Sequence, residues 1–139
     1  MFVDASAMVA ILTGEADGPA LIAAIDGASG LITSPIAIWE TVVRLMSKTT
    51  LSESEASGTV QQFLAASGIA TIAIGADEAA RATSAYARYG KRRHPADLNM
   101  GDCFAYACAK AHGVALLYIG NDFGETDVNE GDLMAQLGH

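Results

Sequence analysis

Short apolar runs alternate with helix-patterned segments along almost the whole chain, and this alternation constrains the fold more than any single motif. Residues 114–119, Val-Ala-Leu-Leu-Tyr-Ile, are the clearest strand, a continuous apolar run of the length a fully buried strand requires. Residues 2–3, 31–33 and 69–74 are further strand candidates. Strands separated by helices predict a parallel sheet with right-handed crossovers. The expected fold is therefore α/β, a three-layer sandwich around a four- or five-stranded, mostly parallel sheet.

The helices between these strands carry recognisable starts and stops. Ser6 is the expected cap of a helix over residues 7–13, ended by Gly14, and a second helix covers residues 18–26 with Pro19 in its first turn, where a missing N–H is harmless. Ser34-Pro35 opens a helix in which Ile36, Trp39, Val43 and Met46 share a face and Glu40 lies one turn in. Ser52 and Glu55 have the spacing of a capping box, beginning a helix that turns Ala56, Val60, Phe63 and Leu64 inward and stops at Gly68. Another helix runs from Asp77 to Tyr89 and ends at Gly90. The helix over residues 99–111 has Asp102 in its first turn, an apolar face of Phe104, Ala105, Ala107, Cys108 and Ala111, and Gly113 just past its end. Gly120 to Phe123 turns sharply, and Val128 is assigned to a short edge strand.

Residues 1–139 fit a single domain. No run is long and apolar enough to span a bilayer, and the first residues show no secretory signal. Cys103 and Cys108, five apart on one helix, read as reduced core thiols of a cytoplasmic protein. A net charge of −8 argues against gripping nucleic acid through general electrostatics. Yet Arg88, Lys91, Arg92 and Arg93, half of the eight basic residues, cluster beside His94. Such a run is either a solvated connector or a set of contacts to phosphate.

In parallel sheets, ligands bind beyond the carboxyl ends of the strands. Asp4 closes the first strand, Asp122 follows the last clear one, and Glu40 and Asp102 stand near helix starts. Topology thus directs four acids to one edge. Two like charges about 4 Å apart repel by about 4 kcal/mol at an effective dielectric near 20, so either some protonate or a cation neutralises them. Oxygen ligands without nearby His or Cys select a hard ion, Mg²⁺ with Mn²⁺ as the alternative. Taken alone, Asp102 also suits a helix start through its charge, and Asp122 suits a turn.

The residues Phe2-Val3-Asp4-Ala5-Ser6-Ala7, Trp39-Glu40, Asn99 with Gly101-Asp102-Cys103-Phe104-Ala105-Tyr106, and Gly120-Asn121-Asp122-Phe123 with Thr126-Asp127 closely resemble VapC-type toxin ribonucleases of the PIN-domain family. The resemblance runs from Phe2 to about Val128, and its most specific part surrounds Asp102. It implies a Mg²⁺-dependent endoribonuclease, the toxin of a toxin–antitoxin pair, with an RNA substrate, a VapB-type antitoxin and a homodimeric state. It implies Asp4 and Asp102 as metal ligands, Glu40 as a third acid and Ser6 as a support for Asp4. Many relatives read Thr-x-Asp-x-Asp-Phe after the last long strand, where this chain has Tyr118, Gly120, Asp122 and Phe123. The fourth acid is then either Asp122 or Asp127 reaching back from the next turn.

Lys91, Arg92 and Arg93 are the candidate contacts to RNA phosphates. Two other readings compete. A housekeeping PIN-fold nuclease in RNA processing would share the same site. A phosphoacceptor signalling domain would pair acids after the first strand and place a lysine after the last, whereas Ala5 follows Asp4 and no lysine lies between Tyr118 and Phe123.

Overall fold

The computed structural model describes residues 1–120 and 122–127. Strand β1 (Phe2–Val3) leads into α1 (Ala5–Leu12) and α2 (Gly18–Asp26), then β2 (Ile32–Thr33), α3 (Pro35–Lys48) and α4 (Glu53–Ser67). Strand β3 (Ala70–Thr71), α5 (Ala76–Tyr89), α6 (Met100–His112), β4 (Leu116–Leu117) and a 3₁₀ turn at Asp122–Glu125 complete the described chain. These strands form one sheet in the order β3-β2-β1-β4, every pairing parallel, with the described α-helices flanking it. The expected α/β architecture is present, with four strands among the described residues.

The strands are shorter than the apolar runs that announced them. Pairing registers only Phe2 with Ile32 and Leu116, Val3 with Leu117, Ile32 with Ala70, and Thr33 with Thr71. Residues 69–74 and 114–119 extend beyond those ladders, and β3, at the sheet edge, is exposed at both residues. The central pair is fully buried: Phe2, Val3, Leu116 and Leu117 have no accessible surface. The Val128 edge-strand assignment lies outside the described residues.

The order β3-β2-β1-β4 puts the topological switch point between β1 and β4, since the chain first moves outward from β1 to β3 and then returns to the other side of β1. That is the crevice where open parallel sheets bind ligands. Leu117 O accepts the Asp4 amide (3.0 Å) there, so the end of β1 is fixed by β4. On the other side the Thr33 hydroxyl donates to Val3 O (2.8 Å).

Two helices differ in detail from the sequence expectation. Helix α1 begins at Ala5, and its cap is Asp4, not Ser6: the Asp4 carboxylate accepts the Ser6 amide. An aspartate at the end of a strand can do this because its extended backbone leaves the side chain level with the first helical N–H groups. In α3 the inward residues are Ala37, Thr41 and Leu45, while Trp39, Val43 and Met46 point outward, Trp39 being 61 % exposed. The small and hydroxyl side chains let α3 approach α1 and α6 closely, and the large apolar ones are left as a surface. The expected capping box at Ser52 and Glu55 is complete, and Gly68 and Gly113 end α4 and α6 in left-handed conformations.

Candidate active site

Three acids from three separate segments line one small polar cavity of about 100 Å³ at the switch point. Asp4 comes from the end of β1, Glu40 from the second turn of α3, and Asp102 from the first turn of α6. Ser6, Arg44, Asn99, Ile119 and Phe123 complete the wall.

Each acid is positioned by local chemistry that the sequence dictates. Asp4 is 5 % exposed, and its Oδ2 accepts both the Ser6 amide (3.0 Å) and the Ser6 hydroxyl (2.6 Å). The same Ser6 Oγ accepts the Ile119 amide (3.0 Å), so one hydroxyl joins Asp4 to the chain leaving β4. Asp102 and Asn99 form a capping box at the start of α6: Asn99 Oδ1 accepts the Asp102 amide (2.9 Å), and Asp102 Oδ2 accepts the Asn99 amide (3.1 Å). The helix-start role and the pocket position of Asp102 thus coexist.

Glu40 is held in a different way. Its carboxylate lies against the backbone of Gly101, so closely that a Cβ at residue 101 would overlap all three carboxylate atoms. Gly101 is what lets α3 bring this acid up to α6.

The electrostatics of the cavity are those of poorly compensated negative charge. Burial pushes the Asp4 carboxyl up, against the opposing pull of its bonds from Ser6 and the nearby Arg44 charge. Burial, then the charge of Asp4, raise Glu40 to about 7, with Arg44 again pulling down. Burial beside a second acid raises a carboxyl in this way when counter-charge is too weak to offset it. Sequence reasoning alone misses Arg44, although it stands four residues after Glu40 and so on the same helical face.

The remaining candidates separate cleanly. The 3₁₀ turn places the backbone of Asp122 next to Phe123, which is buried in the pocket wall against Tyr118 (ring centroids 4.9 Å apart); the Asp122 side chain lies outside the described residues. Asp127 stands apart from the three acids. Its carboxylate takes a short hydrogen bond from the Tyr106 hydroxyl and pairs with Lys110 (3.6 Å) and Arg88 (3.8 Å). Matched by two cations and a phenol, Asp127 is not among the residues lining the acidic cavity in this structure. Lys91, Arg92 and Arg93 are exposed in the loop between α5 and α6.

Oxygen donors alone line the acidic part of the cavity, a set that suits a hard dication. Among the described residues no group of three or more His, Cys, Asp or Glu side chains is set to hold a metal ion. Mg²⁺ does not demand one, because it is typically held by one or two carboxylates, several waters and substrate phosphate.

The PIN domain family model matches residues 1–129. A VapC ribonuclease of Rhizobium meliloti is 40 % identical, the match covering 91 % of this chain and 98 % of that protein. The chain belongs to the PIN-domain family, among the VapC ribonucleases. A ribonuclease VapC of Mycolicibacterium smegmatis is 41 % identical over 92 % of this chain and 97 % of its own length. Two solved structures share the PIN fold at low identity. One is VapC20 of Mycobacterium tuberculosis, described as a toxin that cleaves the sarcin–ricin loop (TM-score 0.74, 17 % identity, 93 % and 96 % of the two chains). The other is a toxin–antitoxin complex from Klebsiella pneumoniae (TM-score 0.68, 18 % identity, 91 % and 92 % covered). In this VapC-type chain the family's fold and the acidic cavity at its switch point therefore coincide.

Proposed function

We propose that this chain is the toxin of a toxin–antitoxin pair, an endoribonuclease that hydrolyses RNA phosphodiesters at the cavity of Asp4, Glu40 and Asp102. The observation that carries this reading is the convergence of three acids from β1, α3 and α6 on one small polar cavity, Asp4 raised by burial and Glu40 by burial and then the Asp4 charge. Perturbed acids in a cleft are a mark of function, since a purely structural carboxylate is matched by a partner. Family membership supplies the reaction class.

Asp4 and Asp102 are the residues that would hold a hard dication, Mg²⁺ or Mn²⁺. When bound, such an ion activates water and stabilises the leaving oxygen of a phosphodiester. The chain's own groups do the rest. Ser6 keeps the Asp4 carboxylate aimed through two hydrogen bonds, and the capping box does the same for Asp102. Glu40, titrating near neutrality, takes the proton of the attacking water at a carboxylate oxygen. The water oxygen bonds to phosphorus, the bond to the leaving ribose oxygen breaks, and that oxygen takes a proton from solvent. Arg44 at the rim, with Lys91, Arg92 and Arg93 farther out, meets RNA phosphates. Asp122 is the fourth acid of this proposal.

The partner is a VapB-type antitoxin, and the outward apolar face of α3, where Trp39, Val43 and Met46 are exposed beside Glu40, is the surface we assign to it. A homodimeric state, one domain spanning residues 1–139 and a cytoplasmic location complete the reading; the two buried, unbridged cysteines suit a reducing compartment. No helix among the described residues is long and apolar enough to cross a membrane. The test is expression of the chain alone, with sequencing of the 5′ ends of cellular RNA after a short pulse. Growth arrest and new RNA ends, both reversed by the co-expressed partner and absent in vitro with EDTA, are expected. Normal growth with abundant folded protein and intact RNA would refute the reading.

A further inference from the structure

The loop of residues 91–99 is built rather than slack. Lys91 N donates to Leu98 O and Leu98 N to Tyr89 O (both 2.9 Å), Arg93 N donates to Gly90 O (2.9 Å), and Arg92 N donates to Asp97 Oδ1 (2.9 Å). Arg92 and Asp97 sit at positive φ, 65° and 54°, a conformation that a bulky residue adopts only when its surroundings impose it. His94 anchors the loop edge-on against the buried Tyr89 ring (centroids 4.9 Å apart) and accepts the Ala96 amide.

This construction delivers one residue to a defined place. The Arg93 guanidinium carbon stands 5.4 Å from the centroid of the Tyr86 ring. Tyr86 itself is 43 % exposed and lies so close over Gly90 that a Cβ there would overlap its ring. Beside it opens a groove of about 280 Å³ between α5 and α6, lined by Ala82, Thr83, Tyr86, Met100, Cys103 and Phe104. Met100 is 59 % exposed. It follows Asn99 and precedes Gly101 and Asp102, all of which belong to or abut the acidic cavity. The groove and the cavity therefore flank the same first turn of α6, about one helix diameter (~10 Å) apart.

Charge decides what the groove suits. The other cations of α5 and α6 are already matched: Arg81 by Asp77, and Arg88 and Lys110 by Asp127. Arg93 pairs with no acid among the described residues and is presented on an aromatic ring. An apolar slot with an exposed tyrosine, an exposed methionine and an uncommitted guanidinium, on a chain of net charge −8, matches a flat ring attached to a phosphate.

We propose that this groove seats an RNA base neighbouring the scissile phosphate, stacked against Tyr86 and Met100, with Arg93 holding the phosphate attached to it. The proposal rests on the ribonuclease reading and adds a subsite to it. Tyr86 is then a binding residue that sets where along a single strand the cut falls. Its hydroxyl is dispensable and its ring is not.

The experiment uses the full chain carrying Asp102→Asn, so that RNA stays intact, and a single-stranded RNA pool of mixed sequence with one 2-aminopurine. Binding and fluorescence quenching are followed for Tyr86→Ala, Tyr86→Phe and Arg93→Ala in that background, and cleavage is followed for the same changes in the active protein. Tyr86→Ala should weaken binding by about tenfold, the scale of one lost base stack, and abolish quenching while leaving the salt dependence alone. Tyr86→Phe should restore both. Arg93→Ala should lower the salt slope by about 0.7–1, one phosphate contact. Unchanged binding and quenching in folded Tyr86→Ala, with cleavage by the parent intact, would overturn the subsite and leave the ribonuclease reading standing. A parent that neither binds nor cuts RNA would overturn both. Loss of binding that tracks loss of a dimer in sedimentation would assign the groove to a second copy of the chain and overturn the subsite as well.

Discussion

Asp4, after β1, lies near the start of α6, and Asp127, after the 3₁₀ turn, meets Tyr106 and Lys110 farther along it; their surroundings are opposite. Around Asp127, the Tyr106 hydroxyl, Lys110 and Arg88 converge. Partial burial pushes its carboxyl up, but these three partners outweigh that and hold it below the usual range. Around Asp4, burial is nearly complete, Glu40 is a neighbouring carboxylate, and among the described residues the opposing cation acting on both is the exposed Arg44. The first arrangement is finished within the chain and ties the segment after β4 to α6. The second sets two carboxyls raised by burial against one exposed cation, which is the arrangement on which the proposed dication reading rests. Proximity of acids in sequence does not tell these cases apart; the supply of counter-charge does.

Neutralising one acid in each region separates them most strongly. Asp102→Asn should lower RNA cleavage by at least about 10²-fold, the scale of losing one electrostatic contributor at a reacting centre. Asp127→Asn should leave turnover within about threefold, since that site is only a tether, and destabilise the fold by about 1 kcal/mol, because the ion pairs there are largely exposed. Steady-state cleavage and a denaturant titration of both variants check the pair. Equal losses of activity would merge the two regions into one site.

Gly101→Ala probes the acidic cavity without touching a charge. A methyl there displaces the Glu40 carboxylate, so cleavage should fall by at least about tenfold, below what a positioned proton acceptor contributes in full. The fold should hold or gain up to about 1 kcal/mol, because alanine is the better helix former. Activity retained together with a large loss of stability would mean that Gly101 serves packing alone.

A subtler contrast concerns pH. Glu40 is raised from 4.5 to about 7 in the folded chain, so between those values the folded state binds the proton more tightly than the unfolded chain does. In EDTA, Glu40 therefore contributes stability that is fully present below about pH 4.5 and is lost as pH rises through about 7. Melts of the parent and Glu40→Gln across that window should differ in slope, the variant being flatter. Identical slopes would show that the Glu40 carboxyl is not under the strain assigned to it.

Much of this arrangement is legible in the sequence, and the reasons are physical. Asp4 and Glu40 are readable because a parallel sheet sends strand ends and the helices after them to one edge. Asp102 reads in the sequence as a first-turn charge, and it is the family resemblance around it that marks it as a site residue; its capping box with Asn99 shows only in the structure. Arg44 escapes because an arginine in mid-helix looks like any solvated charge until Glu40 is known to face a cavity. Asp127 qualifies as a fourth acid on sequence because counting residues from the last strand cannot show that Arg88 and Lys110, which are 22 residues apart in sequence, both arrive beside it. The outward turn of Trp39, Val43 and Met46 is equally hidden: their spacing marks a helix face and says nothing about which neighbour covers it.

If the cavity of Asp4, Glu40 and Asp102 lacks a counter-charge that a hard dication supplies, adding the ion must stabilise the fold through that cavity. Thermal melts of the parent, Asp102→Asn and Asp127→Asn, each with EDTA and with Mg²⁺, measure this. Mg²⁺ at about 100 times its Kd stabilises the protein that binds it by about 2.7 kcal/mol. The parent and Asp127→Asn should show an upward shift of that order, and Asp102→Asn much less. In EDTA, Asp102→Asn should match the parent within about 1 kcal/mol, because relief of repulsion offsets the lost helix-start charge. An equal Mg²⁺ shift in all three proteins, or none in the parent, would contradict the account.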